Sequence, residues 1–220
     1  MTTARTRNDE AVEYIRDQIL QGRFAPGSRL GLELLADELG VSRSVVREAL
    51  NRLMAQGLVN LLPQQGFRVT EATADDLRDL SELRVLVECR ALAMAIQHGD
   101  LEWEQSIVGA LHGLERTPAR AAPGEPVSHE WVRVHAAFHQ ALISACPNAR
   151  LTGLATHLRQ SAEVYRQWSS RQGEERNRDV AAEHRALAEA TLARDHARAS
   201  RLLAEHLELT TKLAIESAPR

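Results

Sequence analysis

Cysteine is nearly absent: the 220-residue chain has two, Cys89 and Cys146. Two thiols give no disulfide framework, and they suit a reducing compartment. Aromatic residues are scarce as well, at 4%. The 44% of hydrophobic residues is carried largely by Leu and Ala, a mix that favours helices packed on helices. No apolar run approaches the about 20 residues a membrane span needs. No signal peptide is read at the start, so the expected location is cytoplasmic. Positive charge is not in excess: the formal net charge is −3, which argues against a globally basic nucleic-acid binder. A Gly-rich phosphate loop and a Ser/His/Asp order are missing too, so nothing points to catalysis on those motifs. The length is sufficient for two modest domains, each with its own core.

The most informative stretch that is present runs Leu39-Gly-Val-Ser-Arg-Ser-Val-Val-Arg-Glu-Ala-Leu50. A helix is predicted to end at Gly40, where a residue must reach positive φ. A second is predicted to start after Ser42, whose hydroxyl can accept from the free N–H groups of the first turn. Arg43 and Arg47 then share one side, while Val46, Ala49, Leu50 and Leu53 face inward. A basic first turn on an inward-anchored helix can enter the major groove of DNA. The same residues also fit an ordinary buried helix pair with surface arginines. The flanks favour DNA. An amphipathic helix over Ala11–Leu20 and a short one over Leu32–Leu39 precede this stretch. Two short strands, Leu58–Leu62 and Phe67–Thr70, follow it across Pro63-Gln-Gln-Gly66. Three helices and a hairpin make a winged helix-turn-helix. Between Arg43 and Arg68 four arginines face one acid, so basic charge is concentrated there.

Pro26-Gly-Ser-Arg-Leu30, Leu39-Gly-Val-Ser-Arg43, Val46-Arg-Glu-Ala-Leu50, Gly57-Leu-Val59 and Gly66 resemble the DNA-binding domain of GntR-family transcription regulators. The resemblance implies that Arg43, Ser44 and Arg47 contact operator DNA, that Gly66 approaches the minor groove, and that Arg68 at the hairpin lies near phosphates. Ser44-Val45 departs from the Thr-Pro commonest in the family. Glu33 stands where several members carry a basic residue.

From about Asp75 onward six helices are predicted, near 75–98, 101–116, 128–145, 149–171, 174–194 and 196–217. The expected architecture is therefore mainly α: a winged helix over 1–72 and a helical bundle over 73–220. Histidines fall on apolar faces of three of these helices. His135 lies within the stripe Trp131, Val134, Phe138 and Leu142, with His139 one turn on at its edge. His184 falls among Val180, Leu187, Ala188 and Thr191; His206 lies between Leu202, Leu209 and Leu213. A lone histidine in such a place is usually a hydrogen-bonded core residue. Four of them, two at an i, i+4 spacing, also fit one transition ion. In the first of the six helices, Arg84 sits on the side of Leu80, Leu83, Val87, Ala91 and Met94. There it either pairs with Glu88 or meets a ligand. Arg159 and Arg166 lie at the edge of their stripe and read as exposed.

This second region resembles the FCD effector domain of FadR-like GntR regulators, in its shorter VanR-like branch. The resemblance is carried by His135-Ala-Ala-Phe-His139, Glu183-His184, Glu205-His206 and the Pro147-Asn148 break. It implies one divalent transition ion per chain, held by His135, His139, His184 and His206, with Zn²⁺ or Ni²⁺ favoured by an all-imidazole shell. His135 departs from the usual Asp and removes one negative charge from the site. It implies further that Arg84 meets the carboxylate of a small organic acid. The resulting expectation is a homodimeric regulator, a repressor by analogy, on a palindromic operator. The alternatives are a metal-free acyl-ligand sensor and a metalloenzyme built on the histidines. Against the enzyme, no acid stands as an evident general base.

Overall fold

The computed structural model describes residues 6–20, 22–71, 73–122, 125, 127–170 and 178–216, without the side chains of 164 and 166–170. The chain opens with α1 (Arg7–Leu20), α2 (Leu32–Leu39) and α3 (Arg43–Ala55), followed by β1 (Val59–Leu62) and β2 (Gly66–Val69). α1 starts one turn before the predicted Ala11, since the Thr6 hydroxyl accepts from the Asp9 N–H at 3.2 Å. Gly40 ends α2 at φ 61°, its N–H donating to the Ala36 and Asp37 carbonyls, so the chain turns sharply there. Ser42 then caps α3 by accepting from the Val45 N–H at 3.4 Å. Val46, Ala49, Leu50 and Leu53 are all buried against Val12, Ile15 and Ile19 of α1. Each such aliphatic side chain contributes about 1.5–3 kcal/mol on burial. β1 and β2 pair antiparallel, with Val59 opposite Val69 and Leu62 opposite Gly66. The segment before α2 lies along β2: the Leu30 N–H donates to Phe67 O at 2.8 Å, and Arg29 pairs with Arg68.

Six helices follow: α4 (Ala74–His98), α5 (Leu101–Arg116), α6 (His129–Ile143), α7 (Ala149–Ser170), α8 (Val180–Leu192) and α9 (His196–Glu216). Thr73, Asp100, Ser128 and Asp179 each cap the next helix by accepting from the N–H three residues on. α8 is shorter than the predicted 174–194. Asp179 is its cap, Arg178 precedes it, and 174–177 lie outside the described residues. α4 packs along α9 and α7, α5 along α6, and α8 along α9. Their core gathers Leu92, Ile107, Phe138, Leu142, Leu187 and Leu203.

Two predicted stripes are out of phase. Leu83 is 51% exposed and Leu209 38% exposed. The buried side of α4 runs through Leu77, Ser81, Arg84, Glu88, Ala91 and Ala95, and that of α9 through Ala199, Leu203, His206 and Leu207. Polar residues that find partners inside displaced leucines to the outside.

The winged-helix core does not stop at the linker. Leu77 of α4, Tyr165 of α7 and Ala214 of α9 belong to it. Gly57, at φ 74°, lies so close to α7 that a Cβ there would stand 2.5 Å from Ser161 Oγ. His129 Nδ1, at the start of α6, lies 3.3 Å from a carboxylate oxygen of Asp17 on α1.

Candidate functional site

Two surfaces carry chemistry. On the first, the α3 turns project Arg43, Ser44 and Arg47 into solvent. Ser44 Oγ lies 2.7 Å from the capping Ser42 Oγ. Arg43 Nη1 approaches Glu33 of α2 at 3.8 Å. Gly66 opens β2 at φ 79°, and together with Arg29, Glu33, Arg43 and Arg47 it borders a groove between wing and recognition helix. Arg68 is turned the other way: its Nη1 donates to Gly27 O at 2.7 Å, and its buried Nε has no hydrogen bond among the described residues.

The second surface is an internal cavity of about 280 Å³ between α4, α6, α7, α8 and α9. His135 and His139 reach it from α6, His184 from α8 and His206 from α9. One ring nitrogen of each lies within 4.8 Å of the others. A tetrahedral ion with bonds of about 2.0–2.1 Å spaces its ligands about 3.4 Å apart, so modest contraction would close this set on one ion. His139, read from sequence as an edge residue, is 2% exposed, and neither of its ring nitrogens has a hydrogen bond among the described residues. Burial, reinforced by the neighbouring imidazoles and Arg159, pushes its pKa well below the usual histidine range. A neutral ring with a free lone pair is what a metal ligand requires. The residues therefore fit an ion on two grounds: converging nitrogens, and buried nitrogens that the protein itself does not satisfy.

The histidines are held by neighbours. Trp131, one turn before His135, stacks on it with ring centroids 4.5 Å apart and planes 15° apart. His206 Nδ1 lies 2.8 Å from Glu183 Oε2 and 3.2 Å from Arg178 Nη2; an Nδ1 that donates to the carboxylate leaves Nε2 for the cavity. Burial lowers the pKa of His206, although the Glu183 hydrogen bond pulls upward. Arg178 grips Glu183 through both guanidinium arms at 2.7 and 2.6 Å and donates to His206 O and Thr210 Oγ1. Burial alone would raise the Glu183 carboxyl, but Arg178 and His206 outweigh it and bring it down to about 2.

A second ion group lies on α4 and α7. Arg84 Nε donates to Glu88 Oε1 at 2.8 Å, and Arg159 donates to Glu88 Oε2 at 3.3 and 3.2 Å. The salt bridge weighed for Arg84 is present, and its side chain also borders the cavity. Burial raises the Glu88 carboxyl, but the two guanidiniums prevail and hold it below its ordinary value. Arg84, Arg159 and Arg178 all line the cavity, whereas Glu88 and Glu183 do not. Glu115 and Glu163 line it as well, so the wall carries both signs, while the direct partners of the three arginines are set back behind it.

The FCD domain model matches residues 79–209, and the model of bacterial regulatory proteins of the gntR family matches residues 7–69. The chain belongs to the GntR family. Its second half is an FCD domain. BphR of Paraburkholderia xenovorans LB400, an uncharacterised HTH-type transcriptional regulator, is 37% identical over 210 residues, spanning 94% of this chain and 85% of that protein. GlaR of Escherichia coli K12, an HTH-type transcriptional repressor, is 32% identical over 201 residues, spanning 90% and 91%. In fold, the chain resembles a GntR regulator from Rhodococcus sp. RHA1, with a TM-score of 0.74, 24% identity and coverage of 97% and 99%. It also resembles E. coli McbR, with a TM-score of 0.73, 21% identity and coverage of 96% and 98%. This GntR protein is a DNA-binding transcription regulator and not an enzyme, which removes the metalloenzyme reading. No described helix is long and apolar enough to cross a membrane.

Within this GntR fold, sequence reasoning missed several residues. Arg159 read as exposed, yet its side chain is 10% exposed and paired with Glu88. The side chain of Arg166 lies outside the described residues. Arg178 carried no signal, because it precedes a helix that was predicted to cover it. Tyr165 lines the FCD cavity and also packs in the winged-helix core, and its hydroxyl bonds both Glu71 O and an Asp76 carboxylate oxygen. Only the long-range pairing of α7 with α4 reveals that role.

Proposed function

We propose that this regulator is a repressor whose hold on a palindromic operator, as a homodimer, is controlled by a small carboxylate bound in the FCD cavity. One observation carries the reading: four converging histidines open into a cavity whose wall also presents Arg84, Arg159 and Arg178. His135, His139, His184 and His206 would hold one divalent transition ion per chain, Zn²⁺ or Ni²⁺. When bound, the ion supplies a Lewis-acid anchor for a carboxylate oxygen. Arg84 and Arg159 orient the ligand by pairing with its charge. Leu111, Leu114, Val127 and Trp131 exclude water from its apolar part. Repression is carried over from GlaR, whose name describes it as a repressor.

On DNA, Arg43, Ser44 and Arg47 face the major groove and Gly66 opens the wing, while Arg68, whose Nη1 donates to Gly27 O, supports the wing from within. The division into 1–72 and 73–220 falls at the linker, and Tyr165 touches both sides of it. A carboxylate that draws Arg84 away from Glu88 would shift α4 against α7, and with it the bonds from Tyr165 to Glu71 and Asp76. Half-site spacing in a dimer is set by DNA geometry, so a small rotation there changes affinity.

The test combines elemental analysis of the purified protein with calorimetric titration of small carboxylates into protein loaded with Zn²⁺ or Ni²⁺ and into chelated protein. Carboxylate binding that requires the ion and is lost in Arg84→Ala supports the reading. Equal binding without the ion overturns the metal anchor and leaves an acyl-ligand sensor.

A further inference from the structure

Beside the wing strand stands an exposed cation, Arg29, that the sequence does not single out. Arg68 spends its guanidinium on the Gly27 carbonyl. Arg29 is exposed, and no ion pair or side-chain hydrogen bond engages it among the described residues. Its backbone is nevertheless fixed. The Leu30 N–H donates to Phe67 O, the Val69 N–H donates to Ser28 O at 2.9 Å, and Arg29 itself pairs with Arg68, so residues 28–30 lie along β2. A Cβ added at Gly66 would lie 4.0 Å from Arg29 Nε, which places the guanidinium against the start of the wing strand. It borders the same groove as Arg43 and Arg47.

That groove also contains an acid. Glu33 stands at its edge and approaches Arg43 at 3.8 Å. A carboxylate here repels a phosphate strand and partly occupies a recognition-helix arginine. An unpaired guanidinium across the groove, on a backbone tied to the wing, offsets both effects.

We propose that Arg29 is a DNA-contacting residue that grips a backbone phosphate between recognition helix and wing, a task the sequence alone would give to Arg68. Its contact is electrostatic and independent of base sequence, as a phosphate contact must be. The guanidinium releases about one counterion when it binds.

The decisive experiment measures binding of the full-length protein to a mixed-sequence DNA duplex by fluorescence anisotropy across a salt series. Wild type is compared with Arg29→Ala, Arg29→Lys, Arg68→Ala and Glu33→Gln. In Arg29→Ala the slope of log affinity against log salt should become shallower by about one unit. The wild-type advantage should therefore shrink about 3.5-fold between about 50 and about 200 mM salt. Arg29→Lys should restore the slope, Arg68→Ala should leave it unchanged, and Glu33→Gln should raise affinity. Unchanged melting of Arg29→Ala separates lost contact from lost fold. An Arg29→Ala slope equal to wild type, or a slope that falls in Arg68→Ala instead, overturns the assignment.

Discussion

Replacing His139 with leucine should make the chelated protein more stable and the metal-loaded protein less stable. His139 is buried with both ring nitrogens unsatisfied. Each buried polar group left without a partner costs about 1–3 kcal/mol. Leucine is apolar and of similar bulk, and its neighbour Phe138 already packs edge-on against the ring at 5.5 Å. If packing losses leave about 2 kcal/mol of gain, chelated His139→Leu should melt about 4–8 °C above chelated wild type. Adding Zn²⁺ or Ni²⁺ reverses the order. An ion at about 1,000 times its Kd stabilises the native state by about 4 kcal/mol, or about 8–16 °C. The variant, with one ligand gone, should gain little. Thermal unfolding by circular dichroism, with and without chelator, measures all four values. Wild-type melting indifferent to chelation, together with a variant less stable in both conditions, refutes the argument and makes His139 an ordinary packing residue.

Other outcomes follow from the same contacts. Arg47→Ala should weaken operator binding by about 1–3 kcal/mol if it meets a base, with melting unchanged because the side chain faces solvent; a mobility-shift titration reads this. Glu88→Gln should destabilise by about 3–5 kcal/mol, because two buried arginines lose their shared carboxylate. The Glu88 carboxyl lies below its ordinary value in the folded state, so its contribution is full above the unfolded carboxyl value and is lost as pH falls through the folded one. Acid unfolding of Glu88→Gln should accordingly be flatter than that of wild type. Burial raises the Cys89 thiol to about 11, so alkylation at neutral pH should be far slower in native than in denatured protein. Tyr165→Phe should leave ligand affinity close to wild type and weaken the response on DNA, which paired calorimetry and mobility-shift titrations resolve.

The winged helix was legible because its signals are local. Gly40, Ser42 and the Val46–Leu53 stripe each act within a turn of themselves, and the bounds of α2 and the start of α3 were read to within a residue. The candidate histidines were legible by periodicity, since each lies on a face whose other members are apolar. What was hidden depends on partners far along the chain. Arg159 meets Glu88 from 71 residues away, and Tyr165 meets Asp76 from 89 away. The stripe of α4 was drawn through its leucines, so Leu83 was placed in the core, although Arg84 was read on the same side with Glu88 as a possible partner. Arg68 failed for a related reason: strand alternation says which face a side chain leaves, not that a turn carbonyl waits there to receive it.

The magnitudes indicate which interdomain contact can transmit a signal. His129 and Asp17 approach at 3.3 Å but remain substantially exposed, and a pair of that kind contributes about 0–1 kcal/mol, screened further by salt. Tyr165 is 7% exposed and its hydroxyl reaches the Glu71 carbonyl and the Asp76 carboxylate. A net neutral bond contributes about 0.5–1.5 kcal/mol, and one to a charged acceptor about 1.5–3. The hydroxyl has a single proton, so the two acceptors share one bond, and disturbing it moves about 1.5–3 kcal/mol, close to the about 1–3 kcal/mol typical of coupling between sites. The same ring lines the cavity with Arg84 and Arg159, so the proposed ligand, by rearranging these arginines, would act on a side chain that also packs in the winged-helix core. The proposed coupling therefore has a short route: one buried tyrosine both lines the FCD cavity and packs in the winged-helix core.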